Sequence, residues 1–305
     1  MAVRRLIPLL ATPSGGALAA AVLLLAAAAI RPDLFSPYNP VGIHGTSSLE
    51  APTWGHVLGT DVLGKDVLTQ ILYGTRTTLS IGAGAVALSL AAGTAIGLAA
   101  GYWGGTLLDE GLMRLIDALY IVPDLVLALT IVAILGPERI ASVIVALALG
   151  HVAAYARLVR SRVLAIREEE YVTAARSLGG SAGRILARHV LPQTHDILVV
   201  RSVLALSSVI LGEAALSFLG LGVQPPAPSW GRMLRDGFQY LATAPWVALS
   251  PGCAIFLCVF ICNQVGEVLR DLLDPRAAVS ARTERHPNRA RAAQTAGTRV
   301  SPVRR

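Results

Sequence analysis

The amino-acid sequence predicts an all-α integral membrane protein with six transmembrane helices. The chain has 305 residues, of which 54% are hydrophobic and only 15% are charged, whereas soluble domains carry about 25% charged residues. Several long runs contain no charge, and their apolar residues are continuous, which is typical of membrane helices and not of β-barrels. Because lipid offers no hydrogen bonds to the backbone, such runs span a membrane as helices.

The distribution of charge predicts the orientation of the chain. The net charge is +7, and the basic residues lie between and after apolar runs, as the positive-inside rule expects. We therefore do not interpret the charge as a nucleic-acid surface. Six spans with an inner N-terminus place the two most basic segments, residues 158–195 and the tail 276–305, on the inner side. The tail has no apolar periodicity, which predicts disorder.

The first apolar run, residues 17–30, follows Arg4 and Arg5. A basic start before a short apolar core fits a signal peptide or an uncleaved first transmembrane helix, and both place the next segment outside. That segment, residues 33–78, is rich in Pro, Gly and Thr. We expect an external loop that ends in an amphipathic helix over residues 62–75.

The external segment contains a sequence close to a phosphate-binding loop. Residues 59–66 read GTDVLGKD, against the pattern GxxxxGK followed by Ser or Thr. Asp66 takes the position of the hydroxyl residue, and its carboxylate would repel a phosphate. No buried strand precedes the segment, so we reject nucleotide binding by this chain.

Three spans are predicted next, at residues 79–102, 115–135 and 140–155. The glycines of the second span are spaced for close helix packing; they are Gly82, Gly84, Gly93, Gly97 and Gly101. A turn is expected at residues 104–114, and Pro123 with Asp124 predicts a kink within the third span.

A comparatively polar stretch follows the fourth span. Its first part, residues 170–178, contains helix formers and no breaker, and Gly179 and Gly180 then predict a sharp turn because glycine adopts positive φ angles. A second helical piece is expected over residues 182–190, closed by Pro192. The pattern predicts a short helix, a turn and another helix on the aqueous side of the membrane.

The last two spans are predicted at residues 197–221 and 245–268, and they contain polar residues that are costly in lipid. Glu213 is expected either to face a polar pathway or to make a structural hydrogen bond. Asn263 is expected either to line a pathway or to bond across helices. Together with Asp124, these two residues are our candidates for the translocation pathway. Arg201 is interpreted as an interfacial residue.

Neither a metal site nor a disulfide framework is predicted. His151, His189 and His195 are scattered without metal-ligand spacing. The three cysteines lie in the last apolar run and are interpreted as packing residues; they are Cys253, Cys258 and Cys262.

The polar stretch resembles the Glu-Ala-Ala loop of ABC-importer permeases. The residues that match the family pattern are Ala174, Ala175, Gly179, Val190, Leu191 and Pro192. The family's Glu is replaced by Thr173, and Glu170 lies one turn upstream. The resemblance implies that this short helix docks into a groove of a cytosolic ATPase and transmits its motion. The implied coupling residues are Glu170, Thr173, Ala174, Ala175, Gly179, Leu191 and Pro192.

Other blocks resemble one branch of the same family. LGTDVLGKDVLTQILYGTRTTLS, GEAALSFLGLGVQPPAPSWGRML, TAPWVALSPG and LRDLLDPR are similar to segments of the C-type permease subunit of dipeptide, oligopeptide and nickel importers. The likeness covers residues 59–276. It implies a five-helix permease core at residues 79–275 with a coupling loop at about 158–195. An extra N-terminal helix and external loop at residues 1–78 precede the core, which favours the uncleaved helix over a signal peptide.

The resemblance also implies a function and a set of partners. The chain is expected to be a non-catalytic subunit of a bacterial inner membrane, with both termini cytoplasmic, in contact with lipid and not with nucleic acid. A B-type permease subunit, two cytosolic ATPase domains that use ATP and Mg²⁺, and an extracytoplasmic binding protein are the implied partners. Di- or oligopeptides are the expected substrate, and nickel or another small solute is the alternative. A membrane scaffold without transport activity is a third hypothesis.

Overall fold

The computed structural model describes residues 13–36, 38–43, 47–137 and 139–273. The predictions for Arg4, Arg5 and the tail 276–305 fall outside these residues. The helices, in chain order, are α1 (Pro13–Ile30), α2 (Val67–Tyr102), α3 (Leu107–Ile121), α4 (Asp124–Leu135), α5 (Ile140–Ile166), α6 (Glu170–Ser177), α7 (Ala182–Ile185), α8 (Leu191–Phe218), α9 (Trp230–Phe238) and α10 (Trp246–Leu273).

The predicted fold class is confirmed. In the described part of the chain, four helices are long and apolar enough to cross a membrane: α2, α5, the continuous helix Ala182–Phe218 and α10. The helices α3 and α4 meet this criterion only as a joined, bent pair, which makes a fifth span if it is counted as one, and α1 is a shorter apolar helix. These six segments correspond to the six runs in the sequence.

The boundary predicted between an external helix and the second span is wrong. Residues 62–75 and 79–102 do not form two helices, because α2 runs without interruption over 36 residues. Polar residues at the junction do not stop it: the Thr75 hydroxyl donates to the Ile71 carbonyl at 2.9 Å, and the Thr77 hydroxyl donates to the Tyr73 carbonyl. Such back-bonding lets threonine stay within a helix. The domain boundary expected at 78/79 therefore lies inside α2.

The kink predicted at Pro123 is confirmed, but it is a break in the helix. The axes of α3 and α4 meet at 94°, and Pro123 is the N-cap of α4. The turn expected at residues 104–114 is wrong for most of its length, because α3 begins at Leu107. The fourth span is also longer than predicted, because α5 continues to Ile166.

The glycines of α2 permit close helix packing, as predicted: Gly82 faces α8, and the other four face α5. A Cβ atom on Gly93 would lie 2.4 Å from the Tyr155 Cβ, and a Cβ on Gly97 would lie 2.6 Å from the Ala156 carbonyl oxygen. Gly101 meets Val163 in the same way, at 2.5 Å. Contacts advance along both helices in the same direction, so α2 and α5 run parallel with their backbones nearly touching.

Contacts between the loops define two opposite sides of the helical bundle. On one side, the Arg167 guanidinium donates to the carbonyl oxygens of Gly101 and Gly104, which joins the end of α2 to the end of α5. On the other side, the indole N–H of Trp230 donates to the Ile71 carbonyl at 3.0 Å. The helix α9, which contains Trp230, lies within the stretch 222–244 that was expected to be loop.

Candidate functional site

The segment between α5 and α8 has the helix–turn–helix shape that its sequence predicts. After α6, Gly179 adopts φ +81°, and the amide of Gly180 donates to the Ala175 carbonyl at 3.0 Å. A Cβ on Gly180 would lie 2.7 Å from that same carbonyl oxygen. Glycine is therefore needed at both positions, first for the backbone angle and then for space.

One face of this segment is anchored in the protein core. Val172, Ile185 and Val190 are fully or almost fully buried and belong to the same apolar cluster as residues of α2, α5 and α8. Ala175 is partly buried against this cluster. The helix α6 is thus packed directly against the membrane helices.

The other face of α6 is open. Glu170, Thr173 and Ala174 are exposed, and Leu178 is 89% exposed just after the helix. Tyr171 is 40% exposed, and its hydroxyl accepts a hydrogen bond from the side-chain amide of Gln193. Glu170 and Thr173 thus both lie on the exposed face of α6.

The expectation that Pro192 closes the second helical piece is wrong. Residues Leu186–Val190 form a π-helical turn that passes directly into α8, where Leu191 and Pro192 occupy the first positions. Both residues are exposed. Proline has no backbone N–H to donate, and the π-helical turn just before it changes the hydrogen-bond pattern, so the helix continues through Pro192 into the membrane span.

An ion pair with one buried partner joins the start of α3 to α5, and sequence reasoning missed it. Asp109 at the start of α3 is 2% exposed and accepts two hydrogen bonds from the Arg160 guanidinium, at 2.6 and 2.7 Å. It also accepts the Gly105 amide at 3.0 Å. The two partners are 51 residues apart. In the sequence, the one hint of the pairing is that charges of opposite sign occur near the ends of two spans.

Glu213 lies inside the subunit, with an exposed fraction of 0%. The Ser217 hydroxyl donates to one carboxyl oxygen at 2.7 Å, and the Thr78 hydroxyl donates to the other at 3.4 Å. Ser217 in turn accepts the Val223 amide and the Ser229 hydroxyl. Glu213 thus connects α2, α8 and the loop before α9, as the structural alternative expects. Its role in a pathway stays a prediction.

Replacing Glu213 tests the two interpretations. Glu213→Ala is expected to lower the stability of the purified protein by about 1–3 kcal/mol, because two buried hydroxyl groups lose their acceptor. Glu213→Gln keeps an acceptor and is expected to cost less. Thermal unfolding in detergent measures both. Normal stability of the alanine variant would contradict the structural role, and a glutamine variant that is stable but inactive would favour the pathway.

The remaining two pathway candidates have different surroundings. Asp124 is exposed at the break between α3 and α4, and its carboxylate lies beside Gly150 of α5. Asn263 is exposed on α10. Asp124 borders a cavity of about 280 Å³ between α4, α5 and α8. The structure therefore does not bring Asp124, Asn263 and Glu213 together into one site.

The start of α2, whose sequence is close to a phosphate loop, is capped by the side chain of Asp66. One carboxylate oxygen of Asp66 accepts the Thr69 amide at 2.7 Å and caps α2. The other lies 3.0 Å from the His56 imidazole. The amide that a phosphate would require is thus already bonded. Among the described residues, no group of three or more His, Cys, Asp or Glu side chains is placed to hold a metal ion.

Comparisons with known proteins agree with this architecture. Residues 93–279 match the model of the binding-protein-dependent transport system inner membrane component. The chain belongs to this family. It is a membrane permease subunit and not an enzyme.

Curated relatives match over most of both chains. The dipeptide transport system permease protein DppC of Alkalihalophilus pseudofirmus is 43% identical, over 76% of this chain and 75% of that protein. The glutathione transport system permease protein GsiD of Pectobacterium atrosepticum is 41% identical, over 84% of each chain. The di/tripeptide permease DppC of Pseudomonas aeruginosa is 41% identical, over 84% of this chain and 86% of that one.

A solved structure shares the fold. The inward-facing MetNI methionine ABC transporter contains a chain with a TM-score of 0.54 and 18% identity, covering 66% of this chain and 95% of that one. The common part is the helical permease fold. The family match and the curated relatives, and not this likeness in fold, show that the chain is the membrane permease subunit of a binding-protein-dependent transport system.

Proposed function

We propose that this permease forms half of the translocation pathway of an ATP-driven importer of di- or oligopeptides. The observation that carries the proposal is the geometry of α6, which has one face in the core, through Val172, and the other open beside Ala174. A short helix of this kind fits the groove of a partner and conveys its movement. The substrate class follows from the names of the curated relatives, which are permeases for dipeptides, di/tripeptides and glutathione.

The exposed coupling residues contact a partner subunit, and the buried side chains beneath them transmit its movement. Glu170, Thr173, Ala174 and Leu178 present the surface that meets a cytosolic ATPase subunit. Two such subunits bind ATP and Mg²⁺, and this chain supplies no cofactor site of its own in the proposal. Movement of α6 then passes through the buried side chains beneath it into the membrane helices.

The other partners complete the pathway. A B-type permease subunit supplies the second half, and an extracytoplasmic binding protein delivers the peptide on the side of α9. Arg160 and Arg167 lie on the side of the coupling segment, which supports a cytoplasmic position for that side under the positive-inside rule. Both termini are then cytoplasmic, in a bacterial inner membrane surrounded by lipid, and no nucleic acid takes part.

Uptake in a strain that lacks only this chain tests the function. Labelled dipeptide, a longer peptide and nickel are supplied in parallel. Loss of peptide uptake that is restored by the intact chain, but not by Gly179→Val, is the expected result, because valine disfavours the φ of +81° that residue 179 requires.

Two other results would change the interpretation. Loss of nickel uptake alone would contradict the peptide proposal while leaving the permease fold untouched. Purification of the tagged chain without a second permease and ATPase subunits would favour the scaffold hypothesis. A transporter is expected to bring both kinds of subunit.

A further inference from the structure

A groove lined by apolar residues opens on the surface of the helical bundle beside α9. It measures about 460 Å³ and lies between the end of α8, the helix α9 and the first part of α10. Phe218 and Phe238 line one side of it and pack edge to face, with their ring centroids 5.8 Å apart. Gly252 of α10 lines it as well, and a Cβ atom there would lie 3.8 Å from the Cδ1 of Leu234. We call this feature the apolar groove.

The depth of the apolar groove matches one leaflet of a membrane. On α10 its lining residues begin at Ala248, close to the helix start at Trp246, and end at Phe256. The helix rises about 15 Å between Trp246 and Phe256, and the hydrocarbon core of a bilayer is about 30 Å thick. On α8 only the last residue of the helix, Phe218, reaches the groove. The apolar groove therefore extends from the membrane surface beside α9 towards the middle of the bilayer.

The apolar groove is open to the surroundings of this subunit along its length. Leu249 is 58% exposed and Phe256 is 67% exposed. The exposed apolar surface continues along α10 to Phe260, whose ring stacks on that of Phe256. A contiguous apolar surface of this kind marks a contact with lipid or with another protein. The polar surface next to the groove decides between these two.

A polar hollow adjoins the apolar groove on the next face of α9. Leu234 and Phe238, which are four residues apart, line the apolar groove. Arg235 and Gln239, the residues that directly follow them, line a hollow of about 430 Å³ together with Tyr240. Successive residues of an α-helix are about 100° apart around its axis. The apolar groove and the polar hollow therefore lie side by side on α9.

Arg235 is an exposed cation beside both features. A Cβ atom on Gly220 would lie 3.1 Å from its guanidinium carbon, so Arg235 rests on the backbone just beyond Phe218 and the end of α8. Arg232 and Asp236 in the same hollow pair with each other at 3.5 Å. In the part of the chain that the structure describes, Arg235 has no ion-pair partner. A guanidinium group is well suited to a phosphate, because it donates two parallel hydrogen bonds.

We propose that the apolar groove and the polar hollow together bind one anionic phospholipid of the adjacent leaflet. One acyl chain lies in the apolar groove, and the phosphate group lies at Arg235, where Gln239 and Tyr240 are further hydrogen-bond donors. A hydrophobic helix of a partner permease would cover the groove but would supply no anion to Arg235. The proposal goes beyond the proposed function, since it does not depend on which substrate is transported.

The head group is tested with the complete transporter, purified in a mild detergent. Phosphatidylglycerol is the probe, and native mass spectrometry measures how much of it is bound. Arg235→Gln is expected to lower the affinity for phosphatidylglycerol about tenfold, the effect of losing a charge-assisted hydrogen bond. Diacylglycerol has the acyl chains but no phosphate, and it is expected to bind more weakly and with equal affinity to the intact protein and to this variant.

Gly252→Leu tests the apolar groove. Leucine at residue 252 would fill the space of the acyl chain, and the nearest atom of another element is at 3.8 Å, so the helices need not move. Leucine also favours a helix more than glycine does, and the melting temperature in detergent checks that the variant is folded. Binding of both phosphatidylglycerol and diacylglycerol is expected to fall about tenfold, which corresponds to a loss of about 1.4 kcal/mol.

Matched controls for the two variants come from α3. Gly111→Leu makes the same change at a glycine whose Cβ position has no neighbouring atom within 4 Å. Arg114→Gln removes a cation whose side chain is 84% exposed. Both controls are expected to leave lipid binding unchanged.

The thiol of Cys253 provides a second measurement on the unmodified protein. Cys253 is exposed and lines the apolar groove, whereas Cys258 and Cys262 are buried. Phosphatidylglycerol is expected to slow the reaction of Cys253 with an apolar maleimide, because the bound acyl chain covers the thiol. Mass spectrometry of peptides from this chain measures the extent of reaction.

Three results would overturn the lipid site. Equal affinity of the intact protein, Arg235→Gln and Gly252→Leu for phosphatidylglycerol would show that neither feature binds it. Loss of a second permease subunit from the Gly252→Leu transporter, with lipid binding unchanged, would show that the groove is a protein interface. An unchanged reaction rate of Cys253 in the presence of phosphatidylglycerol would exclude an acyl chain from the groove, even if the Gly252→Leu variant were unstable.

Discussion

Ala174→Trp is expected to abolish uptake while leaving the permease inserted and folded. Ala174 is exposed on the open face of α6, so an indole group at this position displaces no side chain of this subunit. In the proposed function it would instead hold α6 away from the groove of an ATPase subunit, since interfaces between helices and grooves require close approach. In the proposed function this contact couples the ATPase to the permease, so we expect stimulation of ATP hydrolysis by the binding protein to be lost as well.

Ala141→Trp is the matched control for this prediction. Ala141 is also an exposed helical alanine, but it lies at the other end of α5, about 40 Å away from α6 along the helix. Tryptophan is well tolerated at membrane interfaces, so near-normal uptake is expected. Uptake and stimulated ATP hydrolysis are measured in membranes with equal amounts of permease. Normal coupling in the Ala174→Trp variant would rule out α6 as the docking element.

Gly97→Leu is expected to prevent accumulation of the folded protein. The first atom of any side chain at residue 97 would lie 2.6 Å from the Ala156 carbonyl oxygen and 2.7 Å from the Val159 Cβ. A rotamer change cannot relieve a clash with backbone, so α2 and α5 must move apart. Overpacking of a core costs about 1–3 kcal/mol even where side chains can adjust, and separation of two helices exceeds that. Total stabilities are only about 5–15 kcal/mol.

Gly111→Leu serves as the control, because no atom lies within 4 Å of the Cβ position of this exposed glycine in α3. Leucine also favours a helix more than glycine does. The protein level in the membrane and the melting temperature in detergent are the measurements. We expect Gly97→Leu to lower both the protein level and the melting temperature strongly, and Gly111→Leu to change them little. Similar stability of both variants would show that the close contact between α2 and α5 is not essential.

Features that depend on residues close together in the sequence could be predicted. The turn after α6 follows from Gly179 and Gly180, and the break between α3 and α4 follows from Pro123. The threonines of α2 misled the prediction because their hydroxyl groups bond within the helix and do not interrupt it. Pro192 misled it for a related reason: the π-helical turn before α8 places a proline where no N–H is required.

Contacts between distant residues were not accessible in this way. Asp109 and Arg160 are 51 residues apart, and Thr78 and Glu213 are 135 residues apart. Each of these residues could be recognised as polar and near a span, but many partners were available to it. The choice between a pathway and a structural bond for Glu213 could therefore not be made from the sequence.

The sequence by itself determined that the chain is a multi-span membrane permease with a helix–turn–helix segment between α5 and α8. Insertion of a helix depends on the summed apolar character of about 20 consecutive residues, and a turn depends on the conformations open to one or two residues. Tertiary structure alone decided which helices pack, which face of α6 is open, and that Glu213 bonds to side chains of α2 and α8. Those facts depend on how side chains from separate helices fit together, which no local pattern specifies.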